Sequence, residues 1–106
     1  MYAFHLPEAV IKSITSRLWN LGDVYLTDGV YSAIQDEDFD PNKFLLLHLM
    51  GDYGILEHEP SDKRRNQCSR EEGRMFLSLY PYRDEYLKVV TQPSLGRTVM
   101  CWQSED

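Results

Sequence analysis

Helices first and an antiparallel meander last, an α+β domain, is the architecture this chain predicts, and three observations carry it. Up to Gly73, apolar residues recur at helical spacing between helix caps, whereas after Gly73 they alternate every second residue. Short turns join the alternating runs, which suits antiparallel pairing of consecutive strands and leaves the helices to cover one face. At 106 residues, 42% of them apolar and 26% charged, the chain makes one domain, 1–106, with a core of its own.

In chain order, Pro7 opens a first helix in which Val10, Ile11, Ile14, Leu18 and Trp19 repeat every three or four residues, and Asn20 and Gly22 end it. Val24 to Leu26 is β-like, a short fourth strand if it joins the sheet. Thr27 or Asp28 then caps a helix carrying Val30, Tyr31, Ala33 and Ile34. An acidic loop, Gln35 to Asp40, leads to the central helix. There Asp40 is the cap and Pro41 the first residue, where no N–H is needed. Phe44, Leu45, Leu46, Leu47, Leu49 and Met50 form an apolar run too wide for a surface helix, so most of its circumference is expected inside. Ile55 to Pro60 reads as irregular, and Ser61 or Asp62 opens a polar helix that stops at Gly73. Three strands follow, Met75–Tyr80, Tyr86–Thr91 and Arg97–Trp102, with turns over Pro81–Glu85 and Pro93–Gly96.

Charge is unevenly spread. Residues 1–62 hold eleven acids against three Lys or Arg, a balance of −8, while residues 63–106 hold six acids against eight bases, a balance of +2. Such a split speaks to partners and steering rather than to fold. No apolar run approaches a membrane span, and MYAFHLPEAV lacks a signal peptide's basic start and long apolar stretch. With no such signal, Cys68 and Cys101 are expected as reduced thiols in a cytoplasmic protein without membrane contact.

One group of residues stands out: His48 inside the apolar run, then Gly51-Asp52-Tyr53-Gly54 closing it. From Val24 to Trp102 the chain resembles a group of small proteins carried by bacterial plasmids and prophages. The marks are Leu26-Thr27-Asp28-Gly29-Val30, His48-x-x-Gly51-Asp52-Tyr53-Gly54, Asp62 and Asn66 ahead of Gly73-Arg74, Ser78-x-Tyr80, Lys88-x-x-Thr91 and Thr98. Usual members of that group begin near Val24, so 1–23 is an added N-terminal helix on a family-like core, 24–102. Their final proline-and-acid ending is missing here. The resemblance implies a mobile-element setting more than an activity. A weaker, architectural likeness is to the barnase–RelE-like ribonuclease folds, and fold does not carry function with it.

Two readings of His48 stay open. As scaffold, it bonds Asp52 or the backbone of the glycine turn, so that His48, Gly51, Asp52, Tyr53 and Gly54 form one structural motif. As a catalyst, it is a general acid or base in a small metal-independent ribonuclease or toxin-like protein. Cations and donors for the developing phosphorane charge would then come from Arg74, Ser78, Lys88, Thr91, Arg97 and Thr98 on the meander. Asp36, Glu37 and Asp38 either form a solvated loop or mimic phosphates in the Lys/Arg groove of a nucleic-acid-binding protein. The five cations Lys63, Arg64, Arg65, Arg70 and Arg74 are interrupted by Glu71 and Glu72, which favours pairing within the chain over nucleic-acid contact. His48, His58, Glu57 and Glu59 match no zinc spacing, and neither a metal nor another cofactor is expected. The aromatic surplus also suits an interface between two copies, with Trp19 a candidate.

The leading expectation is a non-enzymatic accessory of a mobile element, of the anti-CRISPR or antirestriction type. It would block a host protein or nucleoprotein complex by binding protein through its acidic surface, without direct nucleic-acid contact. The ribonuclease is the alternative.

Overall fold

The computed structural model describes residues 2–4, 22–36 and 39–105. Five strands, β1 (Tyr2–Phe4), β2 (Asp23–Leu26), β3 (Phe76–Tyr82), β4 (Glu85–Gln92) and β5 (Arg97–Trp102), form one sheet in the order β1-β2-β5-β4-β3. Helices α1 (Asp28–Asp36), α2 (Pro41–Leu49) and α3 (Pro60–Glu71) complete the α+β domain among the described residues. The predicted helix from Pro7 to Trp19 lies outside them.

The C-terminal strands do pair antiparallel in sequence order, β3 with β4 and β4 with β5. The expected three-stranded meander is nevertheless part of a larger, mixed sheet. β2 lies parallel to β5, with Val24 opposite Thr98 and Leu26 opposite Met100, and β1 runs antiparallel to β2. So Tyr2–Phe4, assigned from sequence to a helical addition, supplies an edge strand. Between β3 and β4 the turn is also tighter than expected: only Arg83 and Asp84 lie outside the strands, and Arg83 adopts a positive φ of 55°. Pro81 stays within β3 because an edge strand has no partner for an N–H at that point. Ile55–His58, expected to be irregular, is one turn of 3-10 helix.

Strand alternation sorts the sheet into two faces. Val24, Leu26, Tyr80, Leu87, Val89 and Met100 point to the helical side, where Val30, Ala33, Phe44, Leu45 and Leu49 meet them. Each residue of this core is no more than 9% exposed. Asp40 caps α2 by accepting from the Asn42 N–H at 3.0 Å, with Pro41 first in the helix as its sequence suggests. The apolar run on α2 is less enclosed than expected: Leu46 and Leu47 are half-buried and Met50 is 60% exposed. At the start of α1 the free N–H groups draw a ligand from the far end of the chain. The Glu105 carboxylate accepts from the Gly29 N–H at 3.1 Å and the Thr27 hydroxyl at 2.7 Å.

The β3 edge is closed by side chains and a turn. Asn66 of α3 donates to the Leu77 carbonyl at 2.8 Å and accepts from the Leu77 N–H at 2.9 Å. Two residues on, the Leu79 N–H donates to the Tyr53 carbonyl at 3.2 Å, and Pro81 has no N–H to offer. These devices block the addition of a further strand. Among the described residues, no helix is long and apolar enough to cross a membrane.

Candidate functional site

His48 projects from the last turn of α2 into the sheet and is fully buried. Its Nδ1 lies 2.6 Å from the Ser78 hydroxyl on β3, and its Nε2 lies 2.8 Å from the Thr91 hydroxyl on β4. Thr91 in turn meets the Thr98 hydroxyl on β5 at 2.8 Å. The imidazole thus ties α2 to β3 and β4 and, through Thr91, to β5, and Phe76 stacks on its ring at 4.8 Å. Neither Asp52 nor the turn backbone receives the side chain, contrary to the scaffold reading from sequence. Ser78, Thr91 and Thr98 are within reach because strand alternation brings all three to the helical face.

Burial, reinforced by the nearby Arg70 charge, lowers the His48 pKa from 6.5 to about 3. The ring is therefore neutral near pH 7, with one nitrogen donating and the other accepting.

Arg70 is the residue the sequence misplaces. Its position on a polar helix among four other cations suggests a basic face paired with acids of the chain, yet its side chain is buried, 3% exposed. Its guanidinium donates to the His48 carbonyl at 3.3 Å, to the Leu49 carbonyl and to the Tyr53 hydroxyl at 3.1 Å. It also lies over the Phe76 ring at 4.9 Å. A cation at the C-terminal end of α2 meets carbonyls that lack helical partners and the negative end of the helix dipole. The spacing carries one signal: Asn66 and Arg70 are four apart, on one face of α3.

The glycine turn seals this end of the domain. Gly51, at φ 88°, stops α2, and the Asp52 N–H reaches back to the Leu47 carbonyl at 2.9 Å. The Asp52 carboxylate accepts from the Gly54 N–H at 3.2 Å, and Tyr53 is driven inside, 1% exposed. Its hydroxyl donates to Gln67 at 2.7 Å. Gly54, at φ 70°, passes so close to β3 that a Cβ there would sit 1.9 Å from the Leu79 carbonyl oxygen.

The residues considered for catalysis do not converge. His48, Ser78 and Thr98 meet in the interior. Arg74 is exposed and pairs with Glu72, and Lys88 lies on the opposite face of the sheet, out of register with Leu87, Val89 and Thr91. Arg97, also on that face, donates to Gln92 at 2.6 Å. Of the polar-helix cations, Lys63 pairs with Glu57 at 2.7 Å and Arg65 with Asp62 at 3.7 Å. No group of three or more His, Cys, Asp or Glu among the described residues is placed to hold a metal ion.

A second constellation lies at the other end of α1. Asp36 is exposed at the helix C-terminus, while Glu37 and Asp38 fall outside the described residues. Phe39 is 4% exposed and packs against Phe44 at 5.4 Å, Tyr82 at 5.0 Å and Trp102 at 5.5 Å. Beside it opens a cleft of about 320 Å³. Ser32 and Asp36 form one wall, the stacked rings of Tyr82 and Trp102 contribute to the floor, and Asp84 and Glu85 of the β3–β4 hairpin stand opposite. Hydrogen bonds from the Ser104 hydroxyl and the Tyr86 N–H hold the Glu85 carboxyl below the usual carboxylate range, so it is ionised at neutral pH. Sequence reasoning finds Asp36 but not this cleft, whose walls come together only through the tertiary fold.

Compared with family models, curated proteins and solved structures, the chain has no match in any of the three.

Proposed function

We propose that this chain is a non-enzymatic binding protein whose partner presents cationic side chains to the Asp36 end of α1. In the mobile-element setting that the resemblance implies, that partner is a host nucleic-acid defence complex of the restriction or CRISPR type. The observation behind the reading is the open cleft, where Asp36, Asp84 and Glu85 surround a floor of aromatic rings. Carboxylates around an aromatic surface complement the Lys and Arg with which such complexes hold nucleic acid. The buried state of His48 also favours binding over catalysis, since a general base must reach its substrate.

The test is a plasmid-establishment assay in cells carrying an active restriction or CRISPR system. Expression of the chain should raise survival of the targeted plasmid, and the double variant Asp36→Asn/Asp84→Asn should lose that protection while folding normally. Purified protein with chelator should leave single-stranded RNA intact. No protection against any system tried, together with RNA cleavage that His48→Ala abolishes, would replace this reading with the ribonuclease.

A further inference from the structure

The cleft contains an indication of what it takes. Arg83, at the tip of the β3–β4 hairpin, places its guanidinium over the Tyr82 ring at 5.5 Å, so a cation from the chain itself already uses part of the aromatic surface. The Trp102 ring stacks beside Tyr82 at 5.7 Å and is half-buried, extending that surface toward α1. Among the described residues, the cleft lining holds three acids, Asp36, Asp84 and Glu85, and one cation, Arg83. Flat aromatic faces attract cations through their quadrupole, and a planar guanidinium can stack on a ring while donating in its own plane to carboxylates.

We propose that the cleft between α1 and the β3–β4 hairpin is an arginine-recognition site, receiving a guanidinium from a protein partner on the Tyr82–Trp102 surface between Asp36 and Asp84. It rests on the protein-binding reading above and adds the chemistry of the contact. Arg83 is then an internal competitor. It occupies one ring and adds a like charge to the path of the incoming side chain, so removing its charge should strengthen binding. A cleft whose residues serve only folding has no reason to respond in that direction.

The experiment is an NMR titration of the full-length chain with acetyl-Gly-Arg-Gly-amide, following the Trp102 indole N–H, which is assigned with Trp102→Phe. The same peptide with citrulline in place of arginine keeps shape and hydrogen-bonding capacity without the charge. The arginine peptide should move the Trp102 signal saturably, with an affinity on the order of 1 mM for so small a ligand, and the citrulline peptide should not. Asp84→Asn should weaken the arginine peptide by about fivefold and Arg83→Gln should tighten it by a similar factor, as expected for single exposed charges. Equal responses to the two peptides would overturn the proposal. So would a Trp102 signal that stays still in both wild type and a folded Arg83→Gln variant. A silent cleft beside intact protection in cells removes the arginine site and keeps the binding reading. A responsive cleft with no protection in cells does the reverse.

Discussion

The two ends of this domain use polar residues in opposite ways. At the end of α2, His48, Arg70, Tyr53, Ser78, Thr91 and Thr98 are all buried and bonded to one another or to backbone carbonyls. At the end of α1, Asp36 and Asp84 stand exposed at the rim of a cleft. The first group looks like chemistry in the sequence and is buried in the fold, while in the second Asp36 comes from an acidic run, Asp84 from no motif, and both face solvent. A recognisable spacing of polar residues reports that they constrain one another. Burial then decides whether the constraint serves structure or a ligand.

Breaking the sealed end should produce the largest effects. Gly54→Ala forces a Cβ into the Leu79 carbonyl at a positive φ, so we expect a loss of at least ~4 kcal/mol in urea unfolding, or no folded protein. Arg70→Ala strips two α2 carbonyls and the Tyr53 hydroxyl of a charged donor and should cost about 3–4 kcal/mol by the same measurement. His48→Ala leaves Ser78 without its ring partner and opens space beside Phe76, for about 2–3 kcal/mol.

Acid should find the same weak point. The folded-state pKa of His48 lies below its unfolded value, so the unfolded chain binds the proton first. The stability from keeping His48 neutral is fully present above about pH 6.5 and is lost as pH falls from there toward about 3. Between those limits this group should remove about 1.4 kcal/mol per pH unit. Urea unfolding at a series of pH values should show that slope in wild type and lose it in a folded His48→Gln variant.

How much of the structure is legible in the sequence depends on how local each cause is. The Asp40-Pro41 cap and the antiparallel pairing of the last three strands follow from neighbouring residues, and their sequence expectations hold. The parallel pairing of β2 with β5 joins segments some seventy residues apart and has no local signature, and β1 is only three residues long. His48 and its turn stand out in the sequence, but the ring's partners come from two strands that only the fold brings alongside. Arg70 shows the limit most clearly. Its sequence neighbours put it in a cationic face expected to pair with acids of the chain, and only the packing of α3 against the end of α2 turns it onto backbone carbonyls.

The smallest stability effect belongs to the open end. Asp36→Asn, Asp84→Asn and their combination remove exposed charges, and each should stay within about 0.5 kcal/mol of wild type in urea. A large loss there would erase the contrast, because the cleft would then be as structural as the His48 cluster.

The contrast rests on His48 being sealed and neutral, and its ring can report this directly. In carbon-13 NMR spectra of the folded protein, the His48 Cε1 signal, assigned by its absence in a folded His48→Gln variant, should stay constant from about pH 8 to about pH 5, through the range where an ordinary histidine titrates. A sigmoidal shift of that signal with a midpoint near 6.5, in protein that is still folded, would mean that the ring exchanges protons with solvent. The α2 end would then be an accessible site, and the division of the domain into a sealed end and an open end would be contradicted.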